Sequence, residues 1–139
     1  MSVEQINADL IAAFDVFIAV PPGTIFNHRK WLHVLDEDHY TAVSLYIRFG
    51  YRFVEGQQRL CVTIASIEVA ACYQGFGLFT NLLQHALEVC RALQYTVTVE
   101  SVLNEHVERV VRRFGFSPHP HDPQTFSYVG RNVDSTLAV

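Results

Sequence analysis

Apolar residues mark out most of the regular elements before any other feature is considered. Val3, Ile6, Leu10, Ile11, Phe14 and Ile18 recur at the three-and-four spacing of one helix face, with Ser2 as a cap and Glu4 in the first turn. The spacing predicts a first helix running to about residue 15. Pro21, Pro22 and Gly23 then interrupt any regular element, and in the mixed stretch 27–38 Trp31, Leu32 and Leu35 fit a short second helix. From Thr41 to Phe53 aromatic and β-branched residues dominate, Glu55-Gly56-Gln57-Gln58 has turn composition, and Leu60 to Val69 has strand composition again. An antiparallel hairpin with a bulge at Gly50 is expected, although Val43, Tyr46 and Ile47 also fit a helix over 41–49. After Gly77, the set Leu78, Leu82, Leu83, Ala86, Leu87, Cys90 and Leu93 forms one face of a helix of about four turns. Residues 97–102 alternate as a strand. Val107, Val110, Val111 and Phe114 give a further short helix closed by Gly115, and Phe126, Tyr128 and Val129 are expected to form a last edge strand.

Composition narrows the class. The 139 residues suit one domain over 1–139; 50% are hydrophobic and 17% charged, far from the make-up of a disordered chain. Net charge is −4, and the Lys and Arg residues are scattered, with Arg112-Arg113 and Arg29-Lys30 the adjacent pairs. Nucleic acid is therefore not an expected partner, because no basic stripe is visible. No apolar run approaches the roughly 20 residues of a membrane span, and residues 1–23 lack the pattern of a secretory signal. Cys61, Cys72 and Cys90, odd in number and set in apolar surroundings, suit reduced thiols and a cytoplasmic location.

The informative chemistry lies where strand becomes helix, in Ile64-Ala-Ser-Ile-Glu-Val69, then Ala70-Ala-Cys-Tyr-Gln-Gly-Phe-Gly77. A helix N-terminus presents unpaired amide donors and partial positive charge, so a turn whose glycines admit close approach suits a phosphate. Gly75 and Gly77 supply that approach. A dinucleotide fingerprint would need a third glycine and a later acidic residue, and a nucleoside-triphosphate loop would need Gly-Lys-Ser/Thr; both are absent.

The run Val69-Ala-Ala-Cys-Tyr-Gln-Gly-Phe-Gly-Leu-Phe-Thr80 resembles the acetyl-coenzyme A signature of the Gcn5-related N-acetyltransferases, Gln or Arg, two residues, Gly, one residue, then Gly or Ala. Gln74 and Gly77 match and Phe79 does not. Asn104, Val107 and Arg113-Phe-Gly-Phe116 are similar to that family's later block, so the resemblance covers about residues 60–117. It implies an α/β (α+β) fold with a mixed, mostly antiparallel twisted sheet flanked by helices, its fourth and fifth strands splayed to admit the pantetheine arm. It also implies acetyl-CoA as co-substrate, with Ile67 and Val69 pairing with the pantetheine amides and Gln74, Gly75, Phe76, Gly77, Leu78, Phe79 and Thr80 around the pyrophosphate. Asn104 belongs to the same cofactor-binding set. The Phe79 side chain is expected to turn toward the core while its amide still faces the phosphate.

Acetyl transfer to an amine requires that the amine lose a proton, since a lysine-like amine is mostly protonated at neutral pH. Glu68, the carboxylate on the central strand, is the candidate base; its alternative reading is a solvent-facing or arginine-paired side chain. The family's usual acid, a tyrosine on the helix after Asn104, falls here on Val111, which leaves Tyr128 or His106 as stand-ins, or an unaided thiolate. The resulting expectation is an N-acetyltransferase acting on a primary amine of a small molecule or protein. Its alternative is a degenerate member that binds acyl-CoA or a protein partner without turnover. His119 and His121 flank Pro120 near Asp122, but nothing else at zinc-site spacing joins them, so a loop rather than a metal site is expected. His85 is expected in solvent and Asp36-Glu37-Asp38 in a solvated loop. Tyr46, Phe49, Tyr51 and Phe53 are expected in the sheet core or on a homodimer surface.

Overall fold

The computed structural model describes residues 2–19, 27–102 and 104–129. Helix α1 spans Val3–Ile18, past the expected end at residue 15; the Ser2 hydroxyl accepts from the Gln5 amide at 3.1 Å. Strands β1 (Asn27–Leu35), β2 (Thr41–Val54) and β3 (Gln57–Val69) follow, then a single 3-10 turn at Ala71–Tyr73 and helix α2 (Leu78–Leu93). Strand β4 (Thr96–Val99), helix α3 (Glu105–Arg113) and strands β5 (Ser117–His119) and β6 (Asp122–Tyr128) complete the order. The six strands form one sheet in the order β1-β2-β3-β4-β6-β5, antiparallel except for β3 and β4.

The stretch expected to hold a second helix is β1. Leu32 and Val34 are buried while Trp31 and Leu35 stay about half exposed, a period of two that Trp31, Leu32 and Leu35 taken alone obscure. Pairing with β2 from Asn27↔Gly50 to Val34↔Val43 gives the stretch its ladder. The helical alternative for 41–49 likewise gives way to strand, because Val43, Leu45, Ile47 and Phe49 are buried at every second position. The hairpin closes on two residues, Glu55 and Gly56, with φ of 53° and 76°; positive φ at both matches the turn that follows a strand pair's natural twist.

The bulge does not fall at Gly50, which pairs regularly with Cys61; it falls where Tyr46 opposes Ser66 while Ile47 opposes Ile64. Ala65 is thereby the extra residue. Its insertion resets the alternation, so that Val62 and Ile64 before it and Ile67 and Val69 after it register with Phe49, Ile47, Leu45 and Val43 on the same face. Those residues join one hydrophobic cluster with Ile6, Leu10 and Phe14 of α1, Leu82, Leu83 and Ala86 of α2, and Val110 and Val111 of α3.

Two further expectations change, and the aromatic set divides. The last strand pair is a hairpin in which β6 lies between β4 and β5, so the segment ending at Tyr128 is internal and β5 is the edge. His85 is not in open solvent: its Nε2 lies 2.7 Å from the Asp15 carboxylate, and its ring packs edge-on to Phe14, tying α2 to α1. Of the aromatic set, Phe49 enters the core whereas Tyr51 and Phe53 stay 54% and 71% exposed. No helix among the described residues is long and apolar enough to cross a membrane.

Two measurements test this packing. Phe14→Ala removes a fully buried ring and should cost about 3 to 5 kcal/mol in chemical denaturation, while Val16→Ser, at an exposed position, should change stability by less than about 0.5 kcal/mol. All three cysteines are free, and burial pushes the Cys61 thiol up and the Cys90 thiol up to about 12. Because the folded values lie above the unfolded one, this stabilisation is complete below about pH 8.5 and is lost as pH rises toward the folded values. The unfolding free energy should therefore fall between about pH 9 and pH 12, by up to about 1.4 kcal/mol per pH unit for each buried thiol, and Cys90→Ala should flatten the decline.

Candidate functional site at the strand fork and the helix α2 N-terminus

The site begins where two parallel strands part. β3 and β4 pair only from Cys61↔Thr96 to Ile64↔Val99, and the Glu100 amide donating to the Ile64 carbonyl at 3.0 Å is the final rung. Beyond it Ser101 takes a left-handed φ of 57°, and the Val102 amide donates to the Gln124 carbonyl, so the chain leaving β4 turns toward β6. β3 meanwhile stays with β2 through Val69. A gap of about 230 Å³ results, lined on one side by Ile64 to Ile67 and on the other by Val99 to Val102, with Asn104 and Val107 at its end.

Within the gap the backbone of β3 is available. Ala70 donates its amide to the Ala42 carbonyl, toward β2, so alternation directs the N–H and C=O groups of Ile67 and Val69 away from β2, those of Ile67 into the gap. An extended amide chain laid there would pair as an added strand does. The Val69 carbonyl already accepts from Gln74 Nε2 at 2.9 Å. Gln74 thus folds the turn by bridging five residues.

The turn delivers the chain to α2 with its amides outward. Gln74, Gly75, Phe76 and Gly77 are exposed, and Gly75 and Gly77 have φ of 83° and 79°, conformations that L side chains avoid. Gly77 is the N-cap and offers no capping side chain, and the first turn of α2 holds no acidic residue. The amides of Gly75 to Thr80 find no acceptor among the described residues, a row of donors at the positive end of a 16-residue helix. Phe79 turns inward, 9% exposed, and joins the core, leaving its amide in that row. This donor set fits a diphosphate.

Asp36 braces the cradle from outside. Its Oδ1 accepts from the Asp38 and Tyr40 amides at 2.9 and 3.0 Å, and its Oδ2 accepts from the Tyr73 hydroxyl at 3.1 Å. Desolvation raises the Asp36 carboxyl, but these donors outweigh it and hold the group below its usual range. The acidic run expected to be merely solvated therefore ties the β1–β2 turn to the 3-10 turn that leads into the cradle.

The remaining candidates separate into two groups. Glu68 is exposed, opposite Ser44, on the face of the sheet turned away from the hydrophobic cluster, and Ser66 of the same face lines the gap. Asn104 also reaches the gap, where its Oδ1 caps α3 by accepting from the His106 and Val107 amides at 2.7 and 3.3 Å. Tyr128 does not join them: it pairs with Val97 near the start of β4, packs at a tilt against Phe116 with ring centroids 5.7 Å apart, and lines a separate cavity with Tyr95 and Arg91. Val111 is fully buried, and His106 is exposed in the first turn of α3.

Sequence reasoning missed one constellation. Arg48 and Arg52 of β2 both bond Oε2 of Glu100, the residue at the last rung. The spacing of 48, 50 and 52 puts both arginines on one strand face around Gly50, and that even spacing was the signal available; their carboxylate partner lies about fifty residues downstream.

The acetyltransferase (GNAT) family matches residues 42–116. Among solved structures, the toxin AtaT complexed with acetyl-methionyl-tRNAfMet superposes with a TM-score of 0.56 at 14% identity, covering 85% of this chain and 82% of that one. The KacTA-DNA complex gives 0.54 at 21% identity, covering 84% and 79%. A tyrosine-to-phenylalanine mutant of AtaT, bound to the C-terminus of the antitoxin AtaR and acetyl-CoA, gives 0.51 at 18% identity, covering 63% of this chain and 60% of that toxin. In that comparison, therefore, the chain spans about three fifths of its neighbour's length. No curated protein matches the sequence. The complexes with DNA and tRNA lend no support to the expectation that nucleic acid is excluded as a partner. With the family matched over more than half its length, the chain belongs to the acetyltransferase (GNAT) family, whose co-substrate is acetyl-CoA.

Proposed function

We propose that the chain is an N-acetyltransferase that moves an acetyl group from acetyl-CoA to an amine. One observation carries the reading: the unpaired amides of Gly75 to Thr80 stand at one end of the β3 strand segment whose other end opens the gap beside β4. In this reading Phe76 to Thr80 hold the pyrophosphate, Ile67 and Val69 pair with the pantetheine amides, and Asn104 lines the far wall. The amine nitrogen attacks the thioester carbonyl carbon, the carbon–sulfur bond breaks, and the amine's proton passes to Glu68, directly or through water. Thiolate departs without a tyrosine donor, since Val111 is buried and Tyr128 lies elsewhere. Three free thiols support a reducing, cytoplasmic setting.

A second reading, binding of acyl-CoA without turnover, draws on that same missing donor. Acetyl-CoA should raise the melting temperature under both readings; thiol release across a panel of amines occurs only under the first. Glu68→Gln should lower kcat by about 10² to 10⁴-fold and leave acetyl-CoA affinity unchanged, and full turnover in that variant would remove Glu68 as the base. Gly77→Ala finds open space for its Cβ but keeps a φ of 79° only with strain, so it should lose roughly 1 to 2 kcal/mol of stability and weaken acetyl-CoA binding. Gly77→Asn, which tolerates the left-handed region better, should recover part of both losses.

A further inference from the structure

On the face of the sheet away from the hydrophobic cluster lies a cavity of about 630 Å³, whose charged lining is Arg29, Arg48, Arg52 and Glu100. Three guanidinium charges stand against one carboxylate there, an excess of two positive charges in a chain whose net charge is −4. Overall composition therefore does not account for it. Gly50, between the two clamped arginines, contributes no side chain and leaves the floor open. Arg48 and Arg52 converge on a single oxygen of Glu100, so each guanidinium commits one of its five N–H donors and keeps others for a ligand. With side chains only 33%, 28% and 20% exposed, Arg48, Arg52 and Glu100 act where solvent screens less than at an open surface.

Glu100 also lines the gap between β3 and β4. The cavity with the arginines and the gap that takes the acyl chain therefore meet at this residue, on the same sheet face as Glu68. An acceptor resting in the cavity would present its amine toward the gap at Glu100 and its remainder toward the guanidinium groups.

We propose that the acceptor is an amine carrying an anionic group, a carboxylate or a phosphate, close to its nitrogen, and that Arg48 and Arg52 bind that group. The proposal rests on the acetyltransferase reading above and names the acceptor class for it. Guanidinium groups suit both anions through paired N–H donors, and hydrogen bonds to charged groups are worth about 1.5 to 3 kcal/mol, or roughly 10 to 150-fold in affinity.

Calorimetric titration of the full chain saturated with coenzyme A tests this with three amines: 2-aminoethyl phosphate, β-alanine and ethanolamine. At least one anionic amine should bind about 10-fold or more tightly than ethanolamine, and raised salt should narrow the difference. The phosphate and carboxylate arms identify which anion the arginines prefer. Arg52→Gln should abolish the preference while acetyl-CoA affinity persists; Arg52→Lys, which keeps the charge but not the fork, should retain part of it and guards against a simple loss of folding. Equal binding of all three amines, binding of none, or a preference untouched in both variants overturns the proposal. Failure of acetyl-CoA itself to bind would instead strike the underlying acetyltransferase reading.

Discussion

A single backbone hydrogen bond, from the Glu100 amide to the Ile64 carbonyl, marks where the parallel ladder of this sheet stops, and the candidate site is built around that stop. Above it neither strand lacks support: β3 continues against β2, and the chain beyond β4 is captured by the Gln124 carbonyl. The gap thus persists because each wall is paired on its outer side. Unpaired backbone inside a folded protein is costly unless water or a ligand satisfies it, and here the backbone groups of Ile67 face the gap, where an extended amide chain could pair with them.

A bulge shapes that fork, and a charged contact crosses its outer face. The bulge at Ala65 lets β3 keep its apolar side chains on the core face while its backbone bends, so the strand continues without exposing Ile67 or Val69 side chains to water. On the opposite face, Arg48 and Arg52 grip Glu100 and bind the last residue of the ladder to β2 across the intervening β3. The cradle is held separately. Gln74 closes onto Val69, and Tyr73 onto Asp36, so the turn that exposes its amides is tethered twice where it begins.

Much of this was readable from residue order alone, and for one reason. Helices α1, α2 and α3, the β2–β3 hairpin and the glycine turn depend on neighbours within a few positions, where spacing of three or four, alternation, and positive-φ residues are written directly in the chain. The turn with its exposed amides belongs to this class: Gln74, Gly75 and Gly77 lie within four residues, and the helix they open is amphipathic over its own length.

What tertiary structure alone decided involves partners far apart in sequence. Strand β1 has no decisive local signal and exists because β2 supplies its ladder, and the placement of β6 inside the sheet rather than at its edge follows from pairing with β4. His85 meets Asp15 across 70 residues, and Glu100 meets Arg48 and Arg52 across 52 and 48. Such contacts form only after chain closure brings the strands together, so no local pattern encodes them. The sequence by itself determined most of the elements and the glycine turn that opens α2; the folded sheet decided which carboxylate stands at the fork and which arginines surround it.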